Sequence, residues 1–396
     1  SVPLVFFTQQ LSLLAPIVNV VAIPVVGFVI LPLCFAALAA SFVSGPVASL
    51  LLVLAHKVIA MLLLCMQFLV GWGADTVQLG IAQPNTFELV AMCFAVLLLL
   101  LPRGVCRRLL ALPLLLCVAP SWLRSPDEDG ALLRLHVADV GQGLAVIVQT
   151  ANHSLLYDTG ARLGADFDLG SAVVTPALRA LSIRSLDAVV ISHGDNDHIG
   201  GLGAIEAAFA IGSLVANRTD LQTSAPVELC AEKDAWHWDG VEFRFLTGEL
   251  DHASENNSSC VLQIRSRAGS ILLPGDIERE AEAELAKIYG AELASTVLLA
   301  PHHGSQSSSS YAFLKRVEPD YVVVSAGYRN SFGHPHRQVL TRYGEFDVRT
   351  LITAGSGMIS VAFRETSTAG IAGEGSPHGG KRQVDEHRRQ KIRYWH

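Results

Sequence analysis

Charge is scarce in this chain. Only 16% of its 396 residues are Asp, Glu, Lys or Arg, against about a quarter in ordinary soluble domains. The scarcity is concentrated in residues 1–123, which are almost uncharged, whereas 124–396 have the composition of a soluble domain. A single soluble enzyme and a disordered chain are both excluded. Basic excess is also missing: the net charge is −7, so nothing draws a polyanion to the whole surface, and a local site or a metal must hold one. Cysteine is sparse where it would matter. Five of the seven (Cys34, Cys65, Cys93, Cys106 and Cys117) lie in the apolar part. Cys230 and Cys260 remain for one optional disulfide, which excludes a disulfide scaffold. No internal repeat stands out, and no signal peptide is expected ahead of Ser1. Ser1 already lies in apolar sequence, so upstream membrane segments of a longer protein are expected.

A bilayer core of about 30 Å takes about 20 apolar residues of helix. Residues 11–40, 47–72, 87–101 and 109–122 are the candidate spans, the first interrupted by Pro16, Pro24 and Pro32. Such breaks require neighbouring protein or water to satisfy the freed backbone groups. His56 and Lys57 fall inside the second run. Two readings stand for Lys57, a water-filled path or a side chain snorkelling from an oblique helix. Arg103, Arg107 and Arg108 form the basic loop between spans, which the positive-inside rule assigns to the cytoplasm. A crossing through 109–122 then delivers the soluble part to the periplasm.

Beyond residue 131 short apolar or alternating runs predict strands at 133–140, 145–149, 154–157, 188–192, 241–246, 259–265, 270–273, 296–300, 321–325 and 348–352. Helical periodicity is expected at 172–181, 203–209, 277–289 and 309–316. Layered sheets with helices outside follow. Residues 124–366 make this domain. Residues 367–396, Gly- and Ser-rich and then basic, are expected to be a solvated disordered tail, with a phosphate-binding arm as the other reading.

The chemistry concentrates in Ser192-His193-Gly194-Asp195-Asn196-Asp197-His198-Ile199-Gly200-Gly201, directly after an apolar strand. His193, Asp195, Asp197 and His198 are all metal-competent. Carboxylates packed side by side cost too much without a cation between them, so the four are candidate ligands. His193 and Asp195 can converge on one ion, and Asp197 and His198 on a second.

This stretch resembles the signature loop of the metallo-β-lactamase fold, His-x-His-x-Asp-His, with Asp195 in place of the second His. Asp158 in Tyr157-Asp158-Thr159-Gly160 resembles that fold's early strand-end Asp. Asp276 in Pro274-Gly275-Asp276 resembles its bridging carboxylate, and His302-His303-Gly304-Ser305 its late His, with either histidine as the ligand. Together with Asp139-Val140-Gly141-Gln142-Gly143, Phe332-Gly333-His334-Pro335, Phe7-Thr8-Gln9-Gln10 and Asn19-Val20-Val21-Ala22-Ile23-Pro24, these motifs resemble the ComEC family of DNA-uptake channel proteins. The resemblance implies part of a membrane competence domain followed by an αββα sandwich. It departs from the general fold at Glu255–Cys260, where no His stands. Asn257 and Ser258 occupy that region, leaving the first metal position incomplete or only oxygen-rich, and His252 nearby reads as a surface histidine or as a substitute ligand.

The resemblance implies two divalent cations, Mn²⁺ or Zn²⁺, the His-to-Asp exchange shifting preference toward the harder ion. It implies hydrolysis of a DNA phosphodiester on the strand that is not transported, during conversion of double- to single-stranded DNA at the inner membrane. Asp197 would orient the attacking water, and His334 reads as acid to the leaving oxygen, as a phosphate ligand or as a structural turn histidine. Ser305, Asn330, Asn257 and Ser258 are candidate substrate contacts. Other competence proteins, and a second copy of the chain, are the expected partners. Two other functions stay open: a non-catalytic DNA-binding or gating domain, and another hydrolase on the same fold, such as a β-lactamase or a phosphocholine esterase.

Overall fold

The computed structural model describes residues 10–12, 14–71, 78–80, 86–100, 113–114, 130–165, 167–248, 254–365 and 381–390. The chain divides into two compact units, Ser1–Arg124 and Ser125–His396. The basic loop at Arg103–Arg108, nearly all of the fourth candidate span, and His252 lie outside the described residues.

The first unit is built of apolar helices at Leu14–Val25, Leu31–Ser41, Gly45–Gly71 and Thr86–Leu100. Pro24 has no amide hydrogen to donate to the preceding turn, and the backbone passes just after it into a π-helical stretch, Val26–Ile30. Val18–Ser41 and Gly45–Phe68 are long and apolar enough to cross a membrane, and Phe87–Leu99 is shorter. Burial here inverts the soluble pattern. Ala37, Ala55 and Ala95 are buried, whereas Phe28, Phe42 and Val43 are more than 80% exposed. Small residues let helices approach each other closely while large ones lie outside the contacts, the pattern expected of helices packed in lipid.

The second unit stacks two sheets. Fifteen strands are described: β1 (Ala131–Val137), β2 (Val146–Gln149), β3 (Ser154–Tyr157), β4 (Ser185–Ile191), β5 (Ala210–Ala216), β6 (Val227–Leu229), β7 (Trp236–Trp238), β8 (Val241–Leu246), β9 (Val261–Ser266), β10 (Gly269–Leu273), β11 (Val297–Leu299), β12 (Tyr321–Val324), β13 (Arg349–Ile352), β14 (Ile359–Arg364) and β15 (Lys381–Glu386). One sheet runs in the order β15-β14-β1-β2-β3-β4-β5-β6, the other β13-β12-β11-β10-β9-β8-β7.

Alternation along the strands builds four layers. Val146, Val148, Ala188 and Val190 pack between the sheets with Phe243, Leu262, Ile271 and Leu273. Their neighbours Ile147, Val189 and Ile191 point outward onto Leu178 of helix α1 (Thr175–Ala180) and Ile205 of α2 (Leu202–Ala208). On the far side Leu272 and Leu298 meet helices α3 (Arg279–Tyr289), α4 (Tyr311–Val317) and α5 (Arg337–Glu345) through Leu285, Phe313 and Val339. This is the αββα sandwich.

Five strands went unread in the sequence. In β5, Gly212 reads as a breaker, but a β-carbon there would stand 2.7 Å from the Asp187 carbonyl oxygen. The glycine therefore admits close approach of β4. The tail differs most from expectation: Lys381–Glu386 is a strand, not a solvated arm, and pairs along its length with β14. Val384 packs against the inter-sheet core, Arg382 pairs with Asp320, and Arg388 reaches Asp139 at 2.6 Å. A charged strand at a sheet edge satisfies the ladder while resisting further pairing.

Candidate metal centre

The parallel pairing of β3 with β4, and of β10, β11 and β12 with one another, brings their carboxyl ends to one edge of the sandwich. There the chain leaves each strand carrying chemistry: Asp158 after β3, His193 after β4, Asp276 after β10, His302 and His303 after β11, and Ser325 after β12. Tyr157 braces this edge from below, its hydroxyl donating to the carbonyls of Cys260 (2.7 Å) and Leu273 (3.2 Å) on the opposite sheet.

Three imidazoles present Nε2 inward. His198 Nδ1 lies 2.7 Å from Asp158 Oδ2, and His303 Nδ1 lies 2.9 Å from the Ser325 carbonyl oxygen. Both partners only accept, so each Nδ1 carries the proton. His193 Nδ1 lies 3.0 Å from Ser192 Oγ, whose own hydrogen goes to Asp158 Oδ2 at 2.7 Å. The three Nε2 atoms are left to point at one region, and His193 Nε2 is buried without a hydrogen-bond partner. His303 Nε2 lies 3.2 Å from His198 Nε2 and 3.3 Å from Asp197 Oδ2. Asp276 offers Oδ1 at 3.3 Å to His198 and Oδ2 at 3.5 Å to His303.

Two overlapping ligand groups result, His193–His198–Asp276 and Asp197–His198–His303. An orphaned buried nitrogen, three imidazoles fixed by second partners and two carboxylates are a donor set that fits divalent cations. The sequence pairing is redrawn here. His193 gathers with His198 and Asp276, while Asp195 stands at the rim, its side chain 54% exposed and 3.5 Å from His193 Nε2. Of the twin histidines, His303 is buried in the cluster. His302 turns toward Glu278 (3.3 Å) and is 3.8 Å from Asp276. Both have left-handed backbone, with φ of 48° and 52°, an uncommon conformation for non-glycine residues that clusters at functional sites.

The charges are mutually adjusted. Burial opposes charging His198, yet Asp276 and Asp158 outweigh it and hold the imidazole well above its ordinary range. Burial likewise opposes charge on His303, and Asp276 and Asp197 raise it. Burial would raise Asp276, but His198 and His303 hold its carboxyl well below the usual value. Asp197 is lowered against burial by His303 and His198. Burial and then His198 depress His193. Burial, with His303 and His302, pushes His334 down to about 4.

The remaining candidates are placed differently. Asn330 clamps its own turn, donating to the carbonyls of Gly327 and His334 and accepting from His334 N–H. Asn257 Oδ1 accepts from the Glu278 amide at 2.7 Å, and Ser258 Oγ donates to the Ser254 carbonyl at 3.0 Å. Ser305 Oγ faces Ser307 Oγ at 3.0 Å. These hydrogen bonds lie within the loops that carry the candidate ligands. Sequence reasoning missed Ser192, Ser259, Ser325 and Glu255. Ser259 Oγ accepts from the Asp276 amide at 3.1 Å and lies 3.4 Å from His193 Nδ1. Glu255 accepts from the Gly194 amide at 2.9 Å. Single serines carry no sequence signal, since only the fold brings them together.

Residues 1–105 match the family described as Competence protein, and residues 138–328 match the Metallo-beta-lactamase superfamily. The chain belongs to the ComEC family. Similar to it is Competence protein ComA of Neisseria gonorrhoeae, 36% identical over 357 residues, covering 89% of this chain and 48% of that protein. The uncharacterized protein YcaI of Escherichia coli strain K12 is 32% identical over 364 residues, 89% of this chain and 45% of the relative. Recombination protein 2 of Haemophilus influenzae is 32% identical over 226 residues, 57% of this chain and 28% of the relative. The chain thus spans at most about half the length of these curated relatives. Membership joins a membrane segment to a fold that implies divalent metal binding.

Proposed function

We propose that the second unit is a two-cation DNA phosphodiesterase acting during DNA uptake, on the strand that does not cross the membrane. The observation carrying this reading is the convergence of three Nε2 atoms and two carboxylates in two ligand groups that share His198. His193, His198 and Asp276, with Asp195 at the rim, would hold one cation, and Asp197, His198 and His303 the other. When bound, a pair of such cations supplies Lewis-acid polarisation of phosphoryl oxygens and a water acidic enough to attack at neutral pH. The acidic–imidazole mixture suits Zn²⁺ or Mn²⁺, with Asp195 favouring the harder ion.

The chain's own groups do the rest. Asp197 stays ionised because His303 and His198 hold its proton affinity down, so it accepts a hydrogen bond from the attacking water and aligns it. His334 is neutral near pH 7, so it offers the leaving oxygen a hydrogen bond from its N–H, and that oxygen takes its proton from solvent water. Asp158 and Ser325 keep the tautomers of His198 and His303.

A periplasmic position for this unit is part of the proposal. The Cys230–Cys260 disulfide supports it, because such bonds persist in oxidising compartments. The sequence supports it as well: the positive-inside rule assigns Arg103, Arg107 and Arg108 to the cytoplasm, and the apolar run 109–122 follows them as one further candidate crossing.

The test is cleavage of end-labelled DNA by the whole chain in detergent with Mn²⁺ or Zn²⁺. D197A and H198A are expected to lose at least about a hundredfold in rate, since ligand loss exceeds the 10–100-fold cost of second-shell changes. Equal cleavage by wild type and both variants overturns the reading. Nitrocefin in the same preparation separates out a β-lactamase.

A further inference from the structure

The turn between β12 and α5 carries a ladder of rings from the histidine cluster to solvent. Phe332 is 66% exposed, and its ring lies 5.8 Å from the His334 imidazole with 29° between planes. His334 lies in turn 6.5 Å from His303, planes 20° apart. Three nearly parallel rings thus step outward from a residue of the cluster. The turn is held by the Asn330 hydrogen bonds to Gly327 and His334. On the same turn Tyr328 is 75% exposed, and the Arg329 guanidinium stands 5.3 Å over its ring. One exposed aromatic on a surface needs no explanation. Two on one hydrogen-bonded turn, one of them stacked in series with the site, ask for a ligand with flat faces.

We propose that Phe332 is the stacking platform for an unpaired nucleobase, that of the nucleotide whose phosphodiester lies at the histidine–aspartate cluster. The substrate class is therefore single-stranded or frayed DNA ends. The inference rests on the phosphodiesterase reading and refines it. A base inside a duplex has both faces covered by its neighbours, whereas an unpaired base offers one to an aromatic ring. Stacking of this kind tolerates every sequence, because each base has a π-face. Offset, near-parallel rings at 5.8 Å lie within the range aromatic pairs prefer, so His334 backs the Phe332 platform. Tyr328 and Arg329 extend the surface with a second flat ring and a cation for the neighbouring phosphate.

Binding is read first, without metal. The whole chain in detergent is titrated with a single-stranded oligonucleotide bearing a terminal 2-aminopurine, whose fluorescence falls on stacking. Wild type is expected to quench it. F332A should weaken binding about tenfold, the scale of one stacked base, and F332W should restore it. Identical binding by wild type and F332A, or equal binding of a blunt duplex, overturns the platform.

A second arm uses two phosphodiesters with Mn²⁺, thymidine 5′-(p-nitrophenyl phosphate) and methyl p-nitrophenyl phosphate. F332A should raise KM for the thymidine ester about tenfold more than for the methyl ester, with kcat moving little. Parallel changes on both esters would make Phe332 structural and overturn the proposal. Wild type inert on both esters, with Phe332-dependent quenching intact, would instead sink the hydrolytic reading and leave the base site standing.

Discussion

A β-carbon on Gly143 would stand 2.4 Å from the Asp197 carbonyl oxygen. The same carbonyl accepts the Leu144 amide at 3.1 Å, and the Gly143 carbonyl accepts the Ser325 hydroxyl at 2.7 Å. The glycine, at φ 126°, is thus the contact through which the Asp139–Gly143 loop sets the position of a candidate ligand.

Gly143→Ala should displace Asp197 without unfolding the unit. Metal affinity measured by calorimetry is expected to fall about 10–100-fold, the scale of a second-shell change, with the circular dichroism spectrum preserved. Unchanged affinity would contradict the positioning role.

The twin histidines should separate cleanly. His303→Ala removes an Nε2 from the cluster and should cost at least about a hundredfold in metal affinity, more than second-shell losses. His302→Ala, whose ring faces Glu278, should cost less than about tenfold. Comparable losses in both would reverse the assignment.

Metal binding should release protons. His198 and His303 have raised proton affinities in the cation-free protein, so protons compete with the cation for the same Nε2 atoms. Affinity should therefore rise with pH from below 6.5 until the raised values are passed. Calorimetry in buffers of different ionisation enthalpy counts the protons. Asp158→Ala removes the acceptor from His198 Nδ1 and should weaken affinity about 10–100-fold.

His136 links acid to the edge of the larger sheet. Burial, then His387 and Arg134, lower its pKa from 6.5 to about 4, while Nδ1 stays 2.8 Å from Ser360 Oγ on β14. The unfolded chain takes up this proton first, so stability should fall as pH drops from 6.5 to 4 and change no further below. Hydrogen exchange across Ile359–Arg364 should speed up over that window. In His136→Gln the acceleration should be smaller.

Much of this was legible in the sequence because the ligands sit at ends of apolar strands. The run ending at Ile191, followed by four ionisable groups and two glycines, announces a loop that needs a cation. What stayed hidden depends on the third dimension. Only the fold shows that His303 turns inward and His302 outward, since both are left-handed neighbours on one turn. Only the fold shows that Ser192 and Ser259 support His193. Asn330, Asn257, Ser258 and Ser305 read as polar groups free to meet a substrate, but each is engaged by local backbone or a neighbouring hydroxyl. The strand at 381–386 was masked by its charge, because only Val384 among its six residues is apolar.

That last strand changes how the second unit can be excised. A version ending at residue 365 would bare the backbone amides and carbonyls of Ile359–Arg364 along their length and release Asp139 from Arg388. An unpaired flank of this kind recruits other chains, so such a truncation would turn a folded domain into an aggregating one. An excised version that extends through Gln390 keeps that flank closed.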